Sequence, residues 1–250
     1  MRKWFAVATL SAVAVIFCGP ARAYDQVYEK VVPLPAGGAF HIENVNGTVD
    51  VRAWDRNEVE IHAVKTANRN PADLDLVSIE TRSTAGRVEV STHYPPDQGV
   101  DVTVEYSIRV PRRVLLETVA TVNGNVRVTG VEGSGQLQTV NGDIEVYDCA
   151  GGFNARGTNG SIHEELQRLA AKPLSLETMN GSVLLAIPAG AGAQLDAQSL
   201  NGEIRTEKPV LMNGSFGHGS FRGKLGAGGE SLRIRTVNGV IQISVWKPTV

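Results

Sequence analysis

Two carboxylates two residues apart, Asp143 and Glu145, are the nearest thing in this chain to a catalytic pair. On a strand they share one face, whereas glycoside hydrolysis needs carboxyl groups on both sides of a substrate. The five histidines (His41, His62, His93, His163, His218) are scattered, and His163-Glu164-Glu165 has no second histidine four residues on. No zinc-protease helix or other metal site is therefore expected. The Gly-rich run from Gly214 to Gly229 invites a phosphate-loop reading that fails on inspection. Leu225 follows Gly223-Lys224 where Ser or Thr is needed, and His218 stands where the first glycine belongs. The dinucleotide fingerprint lacks its last glycine after Gly226-Ala227-Gly228, and no Gly-x-Ser-x-Gly elbow supplies a nucleophile. No catalytic, cofactor-binding or metal residue is nominated, and a non-enzymatic protein without a cofactor is expected.

What organises the chain is a repeat. Thr121-Val122-Asn123-Gly124 returns as Thr139-Val140-Asn141-Gly142 and Thr236-Val237-Asn238-Gly239, with looser copies ending at Gly47, Gly160, Gly181 and Gly202. Two residues after each glycine stand Val49, Val126, Ile144, Ile162, Val183, Ile204 and Ile241. Five residues before stand Ile42, Val119, Leu137, Ala155, Leu176, Ala197 and Ile234. Apolar residues two apart around a turn dipeptide are the mark of strands with one buried face. Gly accepts positive φ without a Cβ clash, and Asn tolerates it.

From Gly124 the glycines step by 18, 18, 21 and 21 residues to Gly202, then by 37 to Gly239. Gly86 divides the 77 residues between Gly47 and Gly124 almost equally and reads as a worn copy. Fixed spacing favours an all-β, right-handed parallel β-helix, a β-solenoid with rungs of about 18–21 residues, each turn covering the next. The alternative is a multi-hairpin β-meander, since Asn-Gly is also the strongest short hairpin signal.

Along the chain, Pro35 to Gly38, Val110-Pro111 and Ile187-Pro188 mark a second shared corner. Glu164 to Lys172 has helix-forming composition and is expected to make a short surface helix or turn, inserted at one corner before Pro173. The Gly-rich run is expected to replace a missing corner, and Trp246 to help cover the open end of the coil. In the outward row three residues past each glycine, Arg127 should face Glu145 if rungs stack. Cys149 reads as a small buried hydrophobe.

Residues 1–23 read as a signal peptide: Arg2 and Lys3, an apolar stretch from Phe5 to Phe17, and Ala21-Arg22-Ala23 for cleavage. Phe17 is bulky where a lipobox wants a small residue, so lipidation at Cys18 is not expected. The apolar stretch is too short for a permanent transmembrane anchor. Residues 24–250 are then one solenoid domain, exported to the periplasm or cell surface. The formal net charge is −2, and losing a leader with three bases and no acid makes the rest more acidic, which argues against nucleic acid.

The stretch from Val27 to Val51, with Gly37-Gly38, Ile42 and Val45-Asn46-Gly47-Thr48-Val49, resembles the opening of the DUF4097 adhesin-like proteins. The recurrent Thr-Val-Asn-Gly phrase is similar to that family's body. The resemblance implies a secreted or envelope-attached β-solenoid, and carries no catalytic residue over. Together these readings lead to an exported, non-enzymatic binding or structural protein of the cell envelope. Its partner would be an envelope glycan or protein, with edge-mediated self-association also open. A polysaccharide lyase or glycosidase on the same scaffold is the alternative.

Overall fold

The computed structural model describes residues 24–96, 99–207, 210–211 and 219–247. The expected leader with Cys18, and residues 214–218 of the Gly-rich run, lie outside the described residues. The chain enters through β1 (Tyr24–Pro33), β2 (Ala39–Glu43) and β3 (Val49–Trp54). It continues through β4 (Glu58–Ala67), a four-residue helix α1 (Asp73–Leu76), β5 (Ser78–Thr84), β6 (Arg87–His93) and β7 (Val102–Pro111). A regular series follows: β8 (Arg113–Asn123), β9 (Val126–Thr129), β10 (Glu132–Asn141), the long β11 (Ile144–Asn159) and β12 (Ile162–Leu169). Then come β13 (Leu174–Asn180), β14 (Val183–Ile187), β15 (Ala193–Asn201), β16 (Ile204–Thr206), β17 (Val210–Leu211), β18 (Ser220–Leu225), β19 (Ser231–Asn238) and β20 (Ile241–Val245).

The Asn-Gly dipeptides turn corners and do not close hairpins. β8 pairs in parallel with β2 and β10, not with β9 across the Asn123-Gly124 corner. The meander is thereby replaced by a parallel solenoid with two walls. The first runs β6-β2-β8-β10-β11-β13-β19-β15. The second runs β7-β3-β9-β11-β12-β14-β20-β16. β11 belongs to both, its first half pairing with β9 and β12 and its second with β10 and β13. Between the walls lie the apolar rows: Ile42, Val119, Leu137, Leu176 and Ile234 from the first, and Val49, Val126, Ile144, Ile162, Val183 and Ile241 from the second, all fully buried. Each such side chain contributes roughly 1.5–3 kcal/mol of burial.

At the corner, stacking is closer than the sequence suggests. A methyl group on Gly124 would fall on the carbonyl oxygen of Gly47, and one on Gly142 on that of Gly124. Gly142 also sits at φ 151°, but Gly124 is needed for close approach alone. Beside the glycines the asparagine side chains form an unbroken ladder. Asn123, Asn141, Asn159, Asn180 and Asn238 each donate Nδ2 to Oδ1 of the preceding asparagine, from Asn46 onward, at 2.7–2.9 Å. Hydroxyls form a second ladder inside it: Thr121, Thr139, Thr178, Thr236 and Ser199 donate to glycine carbonyls of the neighbouring rung.

The rungs do not stack in chain order at either end. β6 and β7 pack outside β2 and β3, which precede them. At the other end β19 and β20, the last strands, insert between β13/β14 and β15/β16. The 77-residue gap therefore does hold an extra rung, but Gly86 is not its corner. Gly86 ends the antiparallel β5–β6 pair, where nothing stands within 4 Å of its missing Cβ. The extra corner is the loop from Tyr94, whose hydroxyl donates to the Val102 carbonyl at 3.1 Å.

Three further expectations need correction. Glu164 to Leu169 is strand, neither helix nor turn: Ile162, Glu164 and Leu166 alternate inward on β12, which pairs with β11 along its length and with β14 as far as Glu165. Tertiary pairing overrides a preference worth only tenths of a kcal/mol per residue. The described part of the Gly-rich run is mostly β18, which folds back antiparallel onto the outer edge of β15 and ends in a turn through Gly226 to Gly229. Trp246 lies beside Ile187, its backbone N–H on that carbonyl at 2.9 Å, on an inserted rung rather than across an open end. Antiparallel strands extend the ends instead: β4 on β7 with β1 on β4, and β5 on β6.

Candidate functional site

The outer face of the second wall carries the charged row foreseen from the repeat. Asp50, Arg127, Glu145, His163 and Leu184 stand side by side in register. Arg127 meets Glu145 at 2.6 Å, and that hydrogen bond raises the guanidinium pKa. In the adjacent row, Tyr147 hydroxyl lies 3.3 Å from His163 Nδ1, and His163 Nε2 lies 3.1 Å from Glu165. Asp50 is held by Arg52, Glu60 by Arg109 and Glu29 by His62. Asp143 accepts the Ser161 backbone N–H at 2.7 Å, so it is engaged at the corner while Glu145 is engaged by Arg127. The two carboxylates share a face but do not converge on a cleft. Most charges along this row are paired with one another.

Inside, one rung departs from the apolar pattern. Glu164 occupies a position filled by Val128, Val146, Leu185 and Ile243 in neighbouring rungs, and is fully buried. Among the described residues neither carboxyl oxygen has a partner at full hydrogen-bond geometry, the Phe153 backbone N–H being close but not aligned for one. Burial pushes its pKa up to about 8, the Phe153 backbone N–H acting in the opposite direction to a smaller extent. Cys149 packs nearby in the core, and burial lifts its thiol to about 12, so it is a hydrophobe and not a nucleophile.

The outer face of the first wall is different. The alternation that sends Thr121 and Val119 inward sends Val122 outward. That position reads Val45, Val122, Val140, Thr158, Met179, Val237 and Leu200 in spatial order, and Leu200 is 76% exposed. Beside this apolar row run polar ones, with Gln138, Arg156, Glu177, Arg235 and Gln198 in one and Gln136, Asn154, Ser175 and Arg233 in the next. Three shallow depressions, of about 460, 690 and 410 Å³, lie along these rows, and Arg156 lines all three. Grouped around Arg156, the three are taken together as a trough. The outward apolar row was legible in the second residue of each Thr-Val-Asn-Gly copy, but a reading focused on charge and buried positions passes over it.

Residues 39–244, spanning every corner of the ladder, match the family described as Toastrack DUF4097. The chain belongs to that family. Among solved structures, a candidate cell adhesion protein of Clostridium sporogenes is 10% identical, with a TM-score of 0.42 over 88% of this chain and 99% of its own. A candidate adhesin of Bacteroides fragilis is 12% identical, with a TM-score of 0.37 over 87% of this chain and 97% of its own. Among curated proteins none matches.

Proposed function

We propose that this protein is a non-enzymatic binding protein of the cell envelope that presents the outer face of its first wall to an extended glycan or protein partner. The observation that carries the reading is the trough through Arg156, with an exposed apolar row beside rows of amides and guanidiniums. Neighbouring strands are about 4.8 Å apart, so the seven rungs bearing the apolar row span roughly 30 Å. That length suits an extended occupant better than a small molecule. Paired charges leave the second wall little to offer a partner. Export is supported by Arg2-Lys3, the apolar stretch to Phe17 and Ala21-Arg22-Ala23. No described helix is long and apolar enough to cross a membrane.

Capture of labelled envelope glycans and proteins by residues 24–250 tests the reading. Met179→Ser combined with Leu200→Ser should cut capture at least fivefold, while His163→Ala on the other wall should leave it unchanged. Equal capture by all three proteins would refute the assignment of the binding face.

A further inference from the structure

The charges of the first wall are not all spent on one another. Arg87 is held by Glu89 and Glu117, Arg156 by Glu177, and Arg222 by Asp196. Arg233 and Arg235 are among the exceptions. They stand two apart on β19, both exposed and on one face, and neither makes an ion pair with a described residue. Their registered neighbours explain why. Arg235 lies between Glu177 and Gln198, but Glu177 gives one oxygen to Arg156 at 3.1 Å and the other to Ser175 Oγ at 3.1 Å. Arg233 lies between Ser175 and Asp196, and Asp196 is engaged by Arg222 and by Gln198 Nε2. Glu177 is thus engaged through both oxygens and Asp196 through Oδ1, and two guanidiniums remain without an ion pair to a described residue.

The spatial order of the strands places them well. Because β19 inserts between β13 and β15, the arginine pair lies within the trough rather than at its end. Arg233 lines the depression that holds Gln136 and Asn154, and Arg235 the one that holds Met179 and Leu200. A guanidinium fork matches a carboxylate bidentately, side-chain amides can donate to and accept from hydroxyls, and the apolar row can cover carbon-rich ring faces. Nucleic acid fits poorly, since the lining has no aromatic side chain on which to stack a base. An acidic peptide would seek an open strand edge for its backbone bonds, and the trough is the face of a fully paired wall.

We propose that the trough takes a linear acidic polysaccharide bearing ring carboxylates, with Arg233 and Arg235 as its carboxylate-recognising groups. This rests on the first-wall binding reading and names its ligand class. Calorimetric titration of residues 24–250 with polygalacturonate oligosaccharides tests it, using the fully methyl-esterified form as the uncharged counterpart. Binding to the acid form is expected, at least tenfold tighter than to the ester. Arg233→Gln with Arg235→Gln should weaken it at least tenfold with the melting temperature held within two or so degrees, and 0.5 M NaCl should weaken it too. No binding of the acid form, equal binding of the ester, or undiminished binding by the double variant overturns the proposal. In each of those cases, envelope capture that still depends on Met179 and Leu200 would leave the first-wall reading standing. Capture indifferent to Met179 and Leu200 would bring down both.

Discussion

Asn201 donates its side-chain amide to Asn238 at 2.8 Å, and Asn238 donates in turn to Asn180 at 2.7 Å, so the last corner of the chain sits between two earlier ones. A solenoid whose rungs stacked in order could shed its last rung and lose little beyond nearest-neighbour contacts. Here, removing β19 and β20 would leave β13 and β15 facing a gap one strand wide. A chain ending at residue 230 should therefore lose protection across β15 and β16 as well. Hydrogen exchange at Leu195 and Ala197 checks this; native-like protection there would show that the rungs can re-pair without the insert.

The corner glycines separate two reasons for having no side chain. Gly124→Ala would drive a methyl into the Gly47 carbonyl oxygen, whereas Gly86→Ala meets only a positive φ of 84° in open space. The hairpin substitution should cost about 1 kcal/mol. The corner substitution should cost over about 3 kcal/mol, because backbone must shift in two rungs. Denaturant midpoints of the two variants give the comparison, and similar losses would refute it.

Glu164 should make stability fall as pH rises. Its folded pKa of about 8 stands above the unfolded value near 4.5, so the native state holds the proton more tightly. Its penalty is absent below the unfolded value, grows across that window at up to about 1.4 kcal/mol per pH unit, and levels off above it. Glu164→Leu, which restores the apolar row, should be more stable than the parent by about 3 kcal/mol at pH 7, with a margin that shrinks towards pH 4.5. A margin independent of pH would mean that the carboxyl finds a partner or water in solution.

The hydroxyl ladder has one missing member. Thr139 serves the Gly124 carbonyl and Thr178 that of Gly160, but the residue placed to serve Gly142 is Gly157. A Cβ there would lie 3.2 Å from Thr178 Oγ1, close enough to need a few tenths of an ångström of adjustment. Gly157→Ser should stabilise by about 1 kcal/mol, from one added hydrogen bond and reduced unfolded-chain entropy. A lower melting temperature for the variant would show that Thr178 cannot yield.

The strand period made the inward rows legible, and the fixed spacing favoured the parallel solenoid over a hairpin meander; given stacking, rung length also placed Arg127 opposite Glu145. The Glu164 to Leu169 strand was not legible, since its composition favours helix and only pairing to β11 and β14 overrules it. Nor was it evident from charged positions alone which face remains open. Ion pairing had to engage most charges of the second wall's outer row and leave Arg233 and Arg235 unmatched on the first.

The amino-acid order by itself determined what a rung is: how long, which residues point inward, and where Asn-Gly turns it. Only the tertiary structure decided which rung lies on which. The reason is that nearly every corner offers its neighbours the same amide, glycine carbonyl and hydroxyl, so local chemistry does not distinguish one partner from another. That choice falls to long-range packing and to the connections that let β6/β7 and β19/β20 leave chain order.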